Sequence, residues 1–285
     1  MSEATETTIE IPGYRLGAKV WGPPDGAPVL ALHGWLDNAA TYDGLAPHLK
    51  GLRIVALDMP GHGMSDHAPP GHLYPFIDFV AAAYGVLAAL GWERCSLMGH
   101  SLGAGVCAVL AGTVPERIER LVLLEGLGPL SSADDMTPKR LSDALAEQVR
   151  KGEKPSPVYA DRAKVEQMLA AAPSKLAPHS VRTLLARGLE AVDGGVRWRS
   201  DRRLRFTSRV RLTEAQVLAF LGRIACPTLL LKGKDGFTYA GSQGSERAAA
   251  VDDLRVVEVP GRHHVHLDAP QVVAPHVASF LGVST

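Results

Sequence analysis

The strongest chemical signal in the chain is Gly99-His100-Ser101-Leu102-Gly103, a G-x-S-x-G pattern. Its surroundings make it informative. The apolar run CSLM before it reads as a strand, and LGAGVCAVLAGTV after it reads as a small-residue helix. A serine on such a strand-to-helix turn has its hydroxyl exposed, and glycines on either side relieve the crowding of the turn. The helix that follows directs its N-terminus at the serine, which favours developing negative charge there. Ser101 is therefore the expected nucleophile.

A serine hydroxyl needs a base, and the base needs a carboxylate to fix its tautomer. Residues 261–268 read GRHHVHLD, between an apolar run and the last helical stretch, so His263 and His264 compete for the role of base. No carboxylate or cysteine cluster accompanies His263, His264 and His266, so they are not read as a metal patch. Two acids are placed to serve. Glu125 ends the apolar run RLVLLE, where a carboxylate needs a partner, and Asp235 follows PTLLLKG. His33-Gly34-Trp35 follows an earlier apolar run. A sharp turn there lets the amides of Trp35 and Leu102 converge as an oxyanion hole. His33 reads as a structural hydrogen-bonding residue, and His62 and Asp66 as stabilisers of the loop Asp58–Asp66. His100 reads as pocket lining.

These residues depend on elements able to bring them to one rim. Short continuous apolar runs at 28–32, 53–58, 95–99 and 120–125 suit strands of a parallel sheet covered on both faces. They alternate with helical spacing over about 38–49, 74–90 and 101–113, which argues for an α/β, doubly wound sheet. Residues 8–21 suggest antiparallel edge strands. From 129 to 222 the chain becomes rich in Ala, Lys, Arg, Glu and Gln, broken by Pro138, Pro155, Pro157, Pro173 and Pro178. That segment reads as a helical cap. The rhythm resumes with strands at 227–233 and 254–261 and a helix near 270–282. The expected division is a core of 1–128 and 223–285 interrupted by a cap of 129–222. Loops at the carboxyl ends of parallel strands share one rim, where ligands collect.

Composition narrows the partners. The 285 residues suit one large domain with an insertion, and 46% hydrophobic residues supply a sizeable core. Thirty basic and thirty acidic residues balance, so nothing favours nucleic acid or an anionic membrane surface. The basic stretch Arg197–Arg211 reads as a solvated or salt-bridged surface. Cys95, Cys107 and Cys226 lack C-x-x-C spacing and read as buried thiols. The opening MSEATETTIE lacks the layout of a secretory signal, and no apolar run reaches membrane-span length, so a cytoplasmic location is expected. No oligomeric state is indicated.

Taken in order, HGWLDNA (33–39), DMPGHGMSD (58–66), GHSLGA (99–104), LVLLEGLGPL (121–130), DRRL (201–204), KGKDGF (232–237) and VEVPGRHHVHLDAPQ (257–271) resemble the serine hydrolase-like proteins of the α/β-hydrolase superfamily. The resemblance spans nearly the whole chain. It implies the α/β-hydrolase fold with a cap, Ser101 as nucleophile and His263 as base, since Asp268 and Pro270 then stand fifth and seventh after the histidine. It also favours Glu125 as the acid, because the loop matching 232–237 need not carry a carboxylate in those relatives. Asp235 keeps the alternative open. The resemblance names no substrate; the expected activity, from the residues, is hydrolysis of a small-molecule carboxylic ester or related acyl bond through a Ser-His-acid triad and a covalent acyl-enzyme, with no cofactor or metal. The alternatives are a C–C bond hydrolase, lactonase or thioesterase with the same triad, or a ligand sensor with little turnover. Serine as nucleophile argues against dehalogenase and epoxide hydrolase chemistry. Met168, Trp198 and Phe206 of the cap suggest a partly apolar pocket, or equally a cap core.

Overall fold

Burial alternates residue by residue along the central strands, so each strand feeds two separate cores. Leu30, Leu32, Val55, Leu57, Leu121 and Leu123 face one core, and Val29, Ala31, Ile54, Ala56, Val122 and Leu124 face the other. This is the pattern of a sheet covered on both sides. The structure is a computed structural model describing residues 4–152, 154–171 and 176–284; Pro173, one of the expected helix breaks, falls outside them.

The strands are β1 (Thr5–Ile11), β2 (Tyr14–Trp21), β3 (Ala27–Leu32), β4 (Leu52–Leu57), β5 (Cys95–His100), β6 (Ile118–Leu124), β7 (Val158–Tyr159), β8 (Leu189–Val192), β9 (Gly195–Trp198), β10 (Thr228–Asp235) and β11 (Leu254–Arg262). The helices are α1 (Phe76–Ala89), α2 (Leu102–Thr113), α3 (Met136–Lys151), α4 (Arg162–Ala170), α5 (Pro178–Gly188), α6 (Glu214–Leu221), α7 (Gln243–Ala249), α8 (Val265–Asp268) and α9 (Pro270–Leu281). Eight strands form the main sheet in the order β1-β2-β4-β3-β5-β6-β10-β11. The pairs β1/β2 and β2/β4 are antiparallel and the rest are parallel. The parallel strands β3, β5, β6 and β11 therefore end on one edge, where His33, Ser101, Glu125 and His263 follow them.

Two expectations need correction. Residues 38–49 form no α-helix but two 3₁₀ turns, Ala39–Tyr42 and Ala46–His48. Gly44 and Pro47 raise the cost of a continuous helix, and Asn38 starts the first turn by accepting a bond from the Ala40 amide at 3.1 Å. The segment between β6 and β10 is also not wholly helical. β7, β9 and β8 make a three-stranded antiparallel sheet that contacts α4 and α5. The signal was Val192-Asp193-Gly194-Gly195-Val196, a D-G turn between β-branched residues, with Gly194 taking φ 82° in the two-residue hairpin loop. Trp198 packs with Val165, Val181 and Leu185 in this unit's own small core.

All three cysteines are buried and unbridged. In the basic stretch, Arg197 and Arg199 pair with Glu190, and Arg203 pairs with Asp201.

Polar bonds, of which Arg187–Asp58 is buried, join the inserted segment to the rest of the fold. Arg187 of α5 donates through Nε to Asp58 at 2.8 Å and through an Nη to Glu6 at 2.6 Å. Asp58, fully buried, also accepts the amides of Ala39 and Met64, both at 2.7 Å. Asp268 accepts the Ser180 hydroxyl at 2.6 Å and the Ala177 amide at 3.0 Å, at the start of α5. Removing the guanidinium strands a buried carboxylate, a loss of about 3–5 kcal/mol for such pairs. Arg187→Leu is expected to lower unfolding free energy by that amount in urea titration; an unchanged midpoint would show that the pair does not anchor the insertion.

Candidate active site

Ser101 occupies a backbone conformation that few residues adopt, φ 51° and ψ −111°. The turn is possible because Gly99 and Gly103 have no side chains. A Cβ at Gly99 would lie 2.4 Å from the Gly103 carbonyl oxygen, and one at Gly103 would lie 2.1 Å from that of Leu32. Among the described residues the non-glycine positions with positive φ are Leu36, Ser101 and Glu125. All three border this rim, the usual gathering place of stored backbone strain.

The Ser101 hydroxyl donates to His263 Nε2 at 2.9 Å, and His263 Nδ1–H donates to Glu125 Oε2 at 3.1 Å. Glu125 is only 3% exposed, so its carboxylate must be satisfied by protein donors. The Gly233 amide donates to Oε1, and the Phe237 amide donates to Oε2 at 2.7 Å. A Cβ at Gly236 would stand 2.2 Å from Oε2, so this loop can wrap the carboxylate only with glycine there. The end of β10 and the loop after it thus donate two amides to the Glu125 carboxylate. Asp235 is exposed, and among the described residues no hydrogen bond or ion pair joins it to His263. The bulge between Gly233 and Asp235 turns the loop's amides inward.

The amides of Trp35 and Leu102 have no protein acceptor among the described residues, while their neighbours do: Leu36, Asp37 and Gly103 donate to His62 Nε2, the Gly34 carbonyl and the His33 carbonyl. Two neutral histidines fix the loop carrying Trp35. His33 donates from Nδ1 to the Gly34 carbonyl at 2.7 Å and accepts the Met59 amide on Nε2 at 3.0 Å. His62 donates to the Pro60 carbonyl at 3.1 Å and accepts the Leu36 amide at 3.3 Å. Burial lowers the pKa of His33, and burial with the neighbouring His33 lowers that of His62 to about 3. Asp66 accepts the Arg15 amide at 2.8 Å, tying its loop to β2.

His100 departs from its expected role in the pocket wall. It is fully buried and donates from Nε2 to the His263 carbonyl at 2.8 Å, so it acts as a strut beneath the base. His264, the competing base, instead bonds Asp37 at 3.2 Å. Burial opposes ionisation of Asp37, but the neighbouring His264 outweighs it and holds the carboxyl well below the usual range. Burial likewise opposes the charge on His264, yet Asp37 raises its pKa. Burial lowers His100 to about 4. His266 meets the Thr41 hydroxyl at 2.8 Å. The support given by Asp37, His100 and the Gly233 and Phe237 amides was missing from the sequence reading. The run of histidines after β11 and the histidine beside Ser101 were the available signals.

Phe237 is 36% exposed, with its ring 6.1 Å from that of His263, and Trp35 is 54% exposed, with its indole N–H donating to the Leu204 carbonyl at 3.0 Å. A separate cleft of about 400 Å³, bordered by Ser65, His67, Trp198 and Arg199, shares no residue with the Ser101–His263–Glu125 chain.

Comparison with known proteins follows the same outline. The model of the α/β hydrolase fold family matches residues 27–270. The serine hydrolase-like protein of Danio rerio is 35% identical over 289 residues, covering 98% of this chain and 88% of that protein. The crystal structure of a hypothetical protein from Pseudomonas aeruginosa PAO1 superposes with a TM-score of 0.92 at 42% identity, covering 97% of this chain and 99% of the other. A thioesterase domain from the curacin biosynthetic pathway superposes with a TM-score of 0.85 at 26% identity, covering 97% and 99%.

Two outcomes are expected. Glu125→Gln should lower kcat for any hydrolysed ester about 10³- to 10⁴-fold, as loss of tautomer control does in such triads, while Asp235→Asn stays within about threefold; the reverse ranking in steady-state kinetics would assign the acid to Asp235. His62 takes up a proton near pH 6.5 when unfolded but only near pH 3 when folded. Its stabilising effect is therefore complete above pH 6.5 and is lost as pH falls, by about 1.4 kcal/mol per unit. Urea titrations from pH 6.5 to 5 should show a slope smaller in His62→Gln than in the wild type by about this amount, with His33 and His100 adding to the slope of both proteins; equal slopes would mean that His62 makes no such contribution.

Proposed function

The chain belongs to the α/β hydrolase fold family, and on that premise we propose that it is a serine hydrolase acting on small carboxylic esters or thioesters through Ser101, His263 and Glu125. The observation that carries this reading is the unbroken hydrogen-bond chain from the Ser101 hydroxyl through both nitrogens of His263 to a buried carboxylate. Ser101 attacks the acyl carbon as His263 Nε2 takes its proton, and Glu125 stabilises the resulting imidazolium. The amides of Trp35 and Leu102 receive the oxyanion, an effect worth about 2.7–4 kcal/mol for a donor of this kind. His263 then protonates the leaving alcohol or thiol. Water, activated by the same imidazole, releases the acid and restores Ser101.

The exposed Phe237 ring beside His263 favours an apolar acyl or alcohol group over a charged one. The thioester alternative draws support from the structural likeness to the curacin thioesterase domain. Among the described residues no helix is long and apolar enough to cross a membrane. A cytoplasmic location and a chemistry needing no cofactor complete the proposal.

The test is a panel of p-nitrophenyl esters, lactones and acyl thioesters run on wild type and Ser101→Ala. The wild type is expected to hydrolyse esters or thioesters of modest apolar acids, with at least a thousandfold loss in the variant. Activity that survives in Ser101→Ala would remove the serine mechanism, and no turnover on any class would favour the ligand-sensor alternative.

A further inference from the structure

Behind His263, three ligand atoms from three separate segments meet in a buried cluster. They are Asp37 Oδ2 from the loop after β3, His100 Nδ1 from the end of β5, and His264 Nε2 from the segment after β11. We propose that Asp37, His100 and His264 form a site for a divalent transition-metal ion such as Zn²⁺, whose occupancy switches the neighbouring hydrolytic centre off.

Three observations carry the site. The first is spacing. Nitrogen and oxygen donors about 2.1 Å from a tetrahedral zinc lie about 3.4 Å apart. Asp37 Oδ2 is 3.2 Å from His264 Nε2 and 3.5 Å from His100 Nδ1, and all three atoms lie within 4.8 Å of one another. The second is an unmatched lone pair. His100 Nε2 must carry the ring proton, because it faces the His263 carbonyl, which can only accept. Its Nδ1 is then a bare acceptor, fully buried, without a hydrogen bond, and turned toward a carboxylate oxygen. Two acceptors facing each other away from water are unfavourable, and a cation between them turns both into ligands. The third is room. A Cβ at Gly34 would lie 2.7 Å from His100 Nδ1 and 3.0 Å from Asp37 Oδ2, so glycine keeps that side of the donors clear.

The chemistry of the donors selects the metal. Two imidazoles and one carboxylate suit zinc or a neighbouring transition ion and are poor for magnesium or calcium, which prefer oxygen. The His100 Nε2–H bond to a backbone carbonyl is also the usual way a metal-bound histidine has its ring orientation fixed. A fourth position is left for water, and the partly exposed edges of His264 and Asp37, with side chains 11% and 9% exposed, offer the way in.

The switching effect rests on the proposed hydrolase mechanism; the site does not. The His263 ring centre lies 4.9 Å from that of His100 and 5.3 Å from that of His264. Attack by Ser101 requires His263 to become positive. A dication held by those two neighbours disfavours that charge and so slows the chemical step.

The test is calorimetric titration of tag-free, chelator-treated protein with ZnCl₂, with MgCl₂ and CaCl₂ as controls. One Zn²⁺ per chain is expected, with at least a hundredfold weaker binding in His264→Gln and in Asp37→Asn and no comparable binding of Mg²⁺ or Ca²⁺. Absence of stoichiometric Zn²⁺ binding to the wild type, or equal affinity in His264→Gln, overturns the site. Should the variants fail to fold, Co²⁺ added to the wild type gives the answer: visible absorption of a tetrahedral centre without thiolate charge-transfer bands supports it, and octahedral or absent absorption overturns it. Where hydrolysis is measurable, Zn²⁺ should lower kcat at least tenfold over the same concentrations at which it binds. Binding with unchanged kcat keeps the site and overturns the switch.

Discussion

The site is organised around one buried carboxylate. Glu125 leaves β6 with a positive φ and almost no exposure, so its charge depends on donors that the protein must deliver. Those donors come from elsewhere in the sequence: the Gly233 and Phe237 amides from the end of β10 and the loop after it, and His263 Nδ1–H from the turn after β11. Satisfying Glu125 therefore sets the register of three loops at once. It also aims His263 Nε2 at Ser101. Much of the local detail, including the glycine at position 236, serves to let backbone approach that carboxylate.

The same economy governs the other half of the rim. Parallel strands end together, so their following loops crowd, and each crowded point is solved either by glycine or by strain. Leu36, Ser101 and Glu125 bear the strain. Neutral imidazoles bear the polar load: His33 and His62 each accept one backbone amide and donate to one carbonyl, which protonation would disrupt. His100 does related work beneath the base, with one nitrogen satisfied and the other unmatched against Asp37. The inserted segment is fastened to this edge by Arg187 on Asp58 and by Asp268 at the start of α5.

The sequence made the parallel sheet legible because its strands are short apolar runs whose alternate residues feed two cores. The place of Ser101 on the turn between β5 and α2 was legible because a G-x-S-x-G between an apolar run and a small-residue helix marks such a turn. The choice between Glu125 and Asp235 was less so. Both close apolar strands, and only the burial of one and the inward amides of the loop bearing the other separate them. The hairpin of β8 and β9 was hidden by helix-favouring neighbours, although Asp193-Gly194 marked its turn. The role of His100 was invisible for a different reason. Its partners, His263 and Asp37, lie far away in sequence, and adjacency to Ser101 says nothing about which way a ring on β5 points.

The account stands or falls on whether the Glu125–His263 pair activates Ser101. The most direct measurement is the rate at which a fluorophosphonate labels the intact protein, with the modified residue mapped by mass spectrometry, in wild type and Glu125→Gln. A single adduct on Ser101, formed at least a hundredfold more slowly in the variant, is the result predicted. Labelling at another residue, or an equal rate in both proteins, would contradict it.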